Sequence, residues 1–476
     1  MTAAGGIDGT AYVHGLAVAG TAAARALVER GYRVVVADDA PSDAKRDAAS
    51  ALGLELVEAP SPAVVEALVR DSAFVVPAPG VPERHPAVLA ALRWGRPLRT
   101  EIELAYLWER ERAGGPRPFL AVTGTDGKTT TTLMATAMLE HAGLAAAAVG
   151  NTEMPLVAAL DQPVDAFVVE CTSFRLSWTE HFRPDAGAWL NLAPDHQNWH
   201  DSMETYELAK ARLWAHQRPT DVAIGSIDDE VVVRHLRAAQ ARQVTFGRDA
   251  PDADYRMMGD ELVGPGGAFA GVASMRRALP HDITDALAAA ALVLETGLGE
   301  PDAIEAALGA FATPPHRIEP VAEHAGVRWY DDSKATTPHA ALTAVRAFDH
   351  LVLIAGGRNK GLDLRPLASE PDRVRAVVAI GEAADDVVAV FAGVRPVHRA
   401  GSMAEAVGLA STLAVAGDAV VLSPACASFD WYPDGGYQSR GADFQRCVRE
   451  LLANAPSPAG RTSPPQTSPP QKGIAS

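Results

Sequence analysis

LAVTGTDGKTTTT, residues 120–132, is the stretch on which the reading of this chain turns. An apolar run enters it, small residues and two glycines make a turn, and a lysine then leads a row of threonines. A strand, a glycine loop and a helix in that order gather several backbone N–H groups at the positive end of a helix, where phosphate is held. Gly124, Thr125, Asp126 and Gly127 make the loop, Lys128 is spaced to reach outer phosphates, and Thr129 and Thr130 follow with hydroxyls, Thr129 spaced to meet Mg²⁺. Full Walker spacing asks for a glycine five residues before Gly127, and position 122 is Val, so this is a shorter relation of that motif. The bland alternative is a glycine turn built only for packing. Asp126 is the oddity, a carboxylate inside a phosphate grip.

Working outward, Phe119–Val122 reads as the strand entering the loop and Lys128–Ala142 as the helix leaving it. Strands at Ala166–Glu170 and Ala186–Asn191 and an alanine-rich helix at Asp285–Gly297 continue the alternation. Upstream, the loop Gly15–Gly20 leads into a helix at Thr21–Arg30, then strands at Arg33–Asp38 and Ala73–Pro77, the second stopping at Pro79-Gly80. Downstream of Pro314-Pro315, strands at Leu351–Ala355, Ala376–Ile380 and Ala419–Ser423 are each followed by a helical stretch. Strands alternating with helices indicate an α/β protein whose sheets are largely parallel. Three domains are expected: a Rossmann-like one over 1–99, a P-loop ATPase-like centre over 100–313 and a Rossmann-like one over 314–455. Residues 456–476, with TSPPQ twice in tandem, cannot bury a core and read as a disordered tail.

The 476 residues are 48% apolar and 21% charged, ordinary for a globular protein, and exceed what one core supports. A formal net charge of −17 argues against nucleic acid or an anionic membrane as partner, while leaving room for small anionic ligands in a local positive pocket. Three scattered cysteines with no paired spacing point to a reducing cytoplasm and no structural zinc. No secretory leader or membrane-spanning run is recognisable. The expectation is a soluble cytoplasmic protein, and a monomer.

A metal travelling with phosphates would want hard oxygen ligands. Glu170 ends a strand, where open α/β sheets place their ligand groups. It reads equally as a solvated surface acid. His196, in Asn191-Leu-Ala-Pro-Asp-His196, reads as a ligand or as a structural histidine.

Taken together, T123GTDGKTT130, G150N151, E170CTSF174, N191LAPDH196 and Lys210 fourteen residues on resemble the Mur ligases. P315HRIE319, D331DSKATTPHAA341, A355GGRNKG361 and S423PACASFDWY432 carry the likeness onward, so that it spans residues 10–452. The resemblance implies an ATP- and Mg²⁺-dependent ligase adding D-glutamate to UDP-N-acetylmuramoyl-L-alanine through an acyl phosphate, within cell-wall precursor synthesis. It implies that Lys128, His196 and Lys210 are catalytic. Thr129, Glu170, His196 and Lys210 would serve Mg²⁺, with Lys210 carbamylated by CO₂. On its own, Lys210 reads as a helix-surface lysine. Asn151 would lie near the reacting carboxylate. Lys334, Thr336, Lys360, Ser428 and Phe429 would receive D-glutamate, while Arg317 would serve the nucleotide and His316 the substrate. The uridine diphosphate would lie against Val18, Ala19, Asp38 and Gly80.

Some positions depart from the family pattern. Asp126 replaces an expected Asn, and Asp282 and Asp285 stand where two residues usually hold adenine. An ionised Asp accepts hydrogen bonds but donates none. Two further readings therefore stay open: an amide ligase with another acceptor, and a nucleotide-binding partner that has lost turnover.

Overall fold

A computed structural model describes residues 9–453; the tail expected at 456–476 lies outside the described residues. The chain divides into two compact units that meet in sequence at Pro314 and Pro315.

The first unit opens with four parallel strands, β1 (Thr10–His14), β2 (Arg33–Asp38), β3 (Leu56–Glu58) and β4 (Phe74–Pro77), in the order β3-β2-β1-β4. The core of β1, β2 and β4 is nearly continuous Val, Ala, Tyr and Phe, as strands covered on both faces require. The helix after β1 runs from Val18 to Glu29, three residues earlier than the sequence suggested.

A six-stranded parallel sheet follows: β5 (Phe119–Thr123), β6 (Ala146–Gly150), β7 (Ala166–Glu170), β8 (Ala186–Trp189), β9 (Val222–Ser226) and β10 (Arg242–Phe246). Its order is β10-β9-β8-β5-β7-β6. The chain steps to one side of β5 for β7 and β6 and to the other for β8 onward, so the carboxyl end of β5 is the switch point where such sheets bind ligands. The helix Pro280–Glu295 is buried through its whole alanine-rich middle, Ala286 to Val293. Proline at its first turn and the Asp282 carboxylate on the Leu279 N–H start it five residues before Asp285. A small antiparallel sheet, β11 (Arg256–Met258), β12 (Glu261–Gly264) and β13 (Gly267–Gly271), completes the unit.

The second unit holds one six-stranded sheet, order β14-β15-β19-β16-β17-β18. The strands are β14 (Glu319–His324), β15 (Val327–Asp331), β16 (Leu351–Gly356), β17 (Val374–Ile380), β18 (Val397–Ala400) and β19 (Ala419–Leu422). Only β14 is antiparallel to its neighbour. Among the described residues, no helix is long and apolar enough to cross a membrane, and all three cysteines are buried thiols.

Candidate active site

Leaving β5, the chain turns at Gly127, whose φ of +83° suits glycine and whose missing Cβ leaves room for Asp285 Oδ1, 2.6 Å from where that carbon would stand. Helix Lys128–His141 begins at once, with Thr130 buried in its first turn. A neutral amide braces the loop: Asn191 Oδ1 accepts from the Thr125 and Asp126 N–H groups, each at 2.9 Å, and its Nδ2 donates to the Asp126 carbonyl. The Thr125 hydroxyl lies 3.1 Å from the Tyr206 hydroxyl.

Two lysines converge on this loop. Lys128 Nζ donates to the carbonyls of Gly124 (2.9 Å) and Thr125 (2.7 Å). Lys210 Nζ, 1% exposed, donates to the same Gly124 carbonyl at 2.5 Å and sits 4.6 Å from the Tyr206 ring centre. Burial, then the neighbouring Lys128 ammonium, push the Lys210 amine well below the usual lysine range. The helix-surface reading of Lys210 is thereby overturned.

So is the solvated reading of Glu170. It is 1% exposed, and Gly150 lets the neighbouring turn press against it: a Cβ on Gly150 would stand 2.5 Å from the Glu170 carbonyl. Asn151 Nδ2 donates to Glu170 Oε1 at 2.9 Å, and Asn151 Oδ1 accepts from Arg175 Nη1 at 2.9 Å. Glu170 Oε2 is buried without a hydrogen-bond partner. A carboxylate oxygen left bare in the interior is costly unless a cation takes it, so this donor set fits a divalent metal ion. Thr129 lies one residue past Lys128 in the same first turn. His196 is held at φ +56° between Asp195, 3.2 Å from its Nε2, and the edge of the Phe174 ring.

The two acids expected at adenine have different surroundings. Asp282 is fully buried and spends both oxygens on Arg277, at 2.7 and 2.6 Å, and on the Leu279 N–H at 3.0 Å. Its carboxylate starts a helix and pairs with an arginine. Asp285 lies against the phosphate loop at Gly127.

At the carboxyl edge of the first sheet, Asp38 accepts from the Leu16 N–H (2.7 Å), the Ala40 N–H (2.9 Å) and Lys45 Nζ (2.7 Å). Burial raises its pKa, but the Lys45 and N–H bonds outweigh it and hold the carboxyl below the usual range. Ala19 is buried while Val18 is exposed. Gly80 is exposed and a Cβ there would meet nothing within 4 Å, so protein packing does not ask for glycine. Nearby, His14, Asp39 and His85 cluster at metal-like spacing. His85 Nδ1 accepts from the Ala87 N–H, however, so its Nε2 carries the proton that Asp39 Oδ2 receives at 2.8 Å, and it has no lone pair for a metal.

In the second unit His316, at φ +62°, shares a 2.7 Å hydrogen bond with Asp331, which raises its pKa. Arg317 follows it, half-buried. Lys334 stands 4.0 Å from the Tyr437 ring centre, with Thr336 half-buried beside it in sequence. Ser428 is buried, whereas Phe429 and Lys360 are exposed. Buried Arg440 ties the Ser333 hydroxyl and carbonyl to the Cys426 and Ala427 carbonyls, bracing the Asp331–Lys334 and Ser423–Ser428 stretches together.

Sequence reasoning passed over Asn191, Arg175, Tyr206 and His200. His200 is buried between Glu83 (2.9 Å) and the Ser173 hydroxyl (2.8 Å). One signal was present: Tyr206, Lys210, Leu213 and Trp214 fall on one helix face, so Lys210 interrupts an apolar stripe.

A phosphate loop at a switch point, an interior carboxylate with a bare oxygen and two converging amines define a nucleotide-dependent, metal-assisted enzyme of the α/β class. The chain belongs to the Mur ligase family, whose members work with ATP and Mg²⁺. "Mur ligase middle domain" matches residues 122–269, and "Mur ligase, glutamate ligase domain" matches 316–426. The UDP-N-acetylmuramoylalanine--D-glutamate ligase of Frankia casuarinae is 43% identical over 452 residues, covering 92% of this chain and 93% of its own. That of Mycolicibacterium vanbaalenii is 37% identical, covering 92% and 98%. In fold, the chain is similar to the UDP-N-acetylmuramate-alanine ligase of Thermotoga maritima, with a TM-score of 0.56 and 17% identity over 94% of this chain and 100% of that one.

Proposed function

We propose that this chain is a cytoplasmic ligase that uses ATP to join D-glutamate to UDP-N-acetylmuramoyl-L-alanine in peptidoglycan precursor synthesis. The observation carrying this reading is the length of the match, 92% of the chain at 43% identity to a ligase of that name. We assign residues 1–99 to the uridine diphosphate, 100–313 to ATP and 314–455 to the incoming amino acid.

A carboxylate is a poor acyl donor. Its oxygen attacks the γ-phosphorus of ATP, an O–P bond forms, the β–γ bridge breaks and ADP leaves. The amine of D-glutamate then attacks the acyl carbon, and phosphate departs while the nitrogen sheds a proton. Most of the barrier is met by positioning and charge neutralisation. The loop N–H groups orient the triphosphate, and Lys128 exchanges its carbonyl partners for phosphate oxygens. Glu170, Thr129 and His196 would hold Mg²⁺, which when bound supplies positive charge to the crowded phosphates. Lys210 is a buried amine whose surroundings push its pKa well below the usual lysine range, which favours the neutral form that adds to CO₂. Its carbamate would carry negative charge to the metal side of the loop. Lys334, Thr336, Ser428, Phe429 and Lys360 are assigned to D-glutamate.

The test supplies purified protein with ATP, Mg²⁺ and UDP-N-acetylmuramoyl-L-alanine and scans amino acids for phosphate release. D-glutamate alone should trigger it, and hydroxylamine should trap the acyl phosphate as a hydroxamate. Release with a different amino acid, or none with any, overturns the assignment.

A further inference from the structure

A continuous run of hydrogen bonds, buried at Glu101, Arg175 and Glu170 but exposed at Asn151, ends on Glu170, and its far end has no part in the chemistry above. Glu101, 3% exposed, accepts from Arg175 Nε at 3.1 Å through one oxygen and from the Val157 N–H at 3.3 Å through the other. Arg175, also buried, donates through Nη1 to Asn151 Oδ1 at 2.9 Å. Asn151 Nδ2 donates to Glu170 Oε1, again at 2.9 Å.

The order of donors along this run matters. An asparagine amide alone can face either way, presenting oxygen or nitrogen to its neighbour. A guanidinium has donors only, so it fixes the oxygen of Asn151 on its own side. The NH₂ then must face Glu170, where it occupies Oε1 and leaves Oε2 as the bare oxygen. The guanidinium is itself held by Glu101, whose carboxylate offsets its buried charge. The reach is long in sequence: Glu101 and Arg175 are 74 residues apart, and Asn151 and Glu170 are 19.

We propose that Arg175 is a positioning residue which, through Asn151, fixes Glu170 so that Oε2 is presented to the divalent cation. The inference rests on the reading above that Glu170 holds that cation. Arg175 does not touch the metal ion. It acts on the orientation of a ligand, and outer partners of this kind typically govern metal affinity by about 10- to 100-fold.

The test uses Mn²⁺ as probe, its binding to the full-length protein with a non-hydrolysable ATP analogue followed by electron paramagnetic resonance. Arg175→Ala should weaken Mn²⁺ binding by about tenfold and leave analogue affinity in EDTA unchanged. Arg175→Lys, which keeps one donor for Asn151, should recover part of the loss. In a Glu170→Gln background the Arg175 change should cost nothing further, because the ligand it orients is already altered. Should the lone alanine variant fail to fold around an uncompensated Glu101, the pair Glu101→Gln with Arg175→Met removes both charges and the donor, with the same tenfold loss expected. Equal losses with and without Glu170, or unchanged Mn²⁺ affinity beside a lowered melting temperature, overturn the relay. Failure of the wild type to bind Mn²⁺ with the analogue overturns the reading of Glu170 itself, and the relay with it.

Discussion

Residues 14–20 and residues 123–129 each carry the chain from a parallel strand into a helix within one unit, yet they are finished with different chemistry. In the first, the Leu16 N–H is taken by the Asp38 carboxylate, itself paired with Lys45 at 2.7 Å, so the loop is close to neutral. In the second, a neutral amide, Asn191, takes the Thr125 and Asp126 N–H groups, and the amines of Lys128 and Lys210 lean on one carbonyl. The glycines differ too. Gly20 is there for close packing, since a Cβ on it would stand 1.8 Å from the Gly15 carbonyl oxygen, whereas Gly127 is there for a left-handed turn. The same topology thus serves two ends. The first loop is suited to holding a ligand by hydrogen bonds, the second to gathering charge.

The largest effect should come from the charged loop. Lys128→Ala removes the cation we assign to the phosphates and should lower kcat by about 10³-fold, by analogy with the loss of a transition-state donor. Phosphate release measures it, and activity within tenfold of wild type would mean that the second loop does not owe its role to charge.

The packed glycine comes next. Gly20→Ala forces the helix Val18–Glu29 away from its loop and should cost about 3 kcal/mol of stability, read by equilibrium denaturation. Unchanged stability would show that the loop yields easily, and the contrast between the two glycines would vanish.

Asp38 separates the loops at the level of substrate. Asp38→Ala should raise KM for the uridine nucleotide by about tenfold, the worth of one charged hydrogen bond, with KM for ATP unmoved. A rise in both would show that the loops are not specialised. The same residue gives a pH signature. Its folded-state pKa is depressed, so its contribution is full above the unfolded carboxyl value of about 3.9 and fades as pH falls through the lower folded one. Wild type and Asp38→Asn should therefore differ in stability at neutral pH and converge as pH falls below the depressed folded value.

What the sequence made legible follows the range of the interactions. The phosphate loop was readable because strand, turn and helix start are local, and Glu170 because it closes a strand at its carboxyl end. The Asn191 clamp was not readable, since it bridges 66 residues to reach Thr125. The Asp282–Arg277 pair was not readable, because Arg277 lies in the turn before the helix and only a helix start at Pro280 brings the two together. Lys210 was half legible: the apolar stripe around it is local, but its end point at Gly124, 86 residues away, is not.

The smallest effect expected is at Asp126. Its carboxylate lies in the loop that Lys128 makes positive, where it partly cancels that charge and should repel nucleotide until a cation intervenes. Asp126→Asn keeps the shape and the backbone bonds to Asn191 while removing the charge. ATP affinity without Mg²⁺ should rise by about three- to fivefold, the scale of one screened charge pair, and the Mg²⁺ dependence of ATP affinity should weaken. Superimposable Mg²⁺ titrations of the two proteins would mean that the loop's positive character is set by Lys128 and its N–H groups. The carboxylate would then be a brace within the turn, and the charged loop would resemble the neutral one more closely than the lysines suggest.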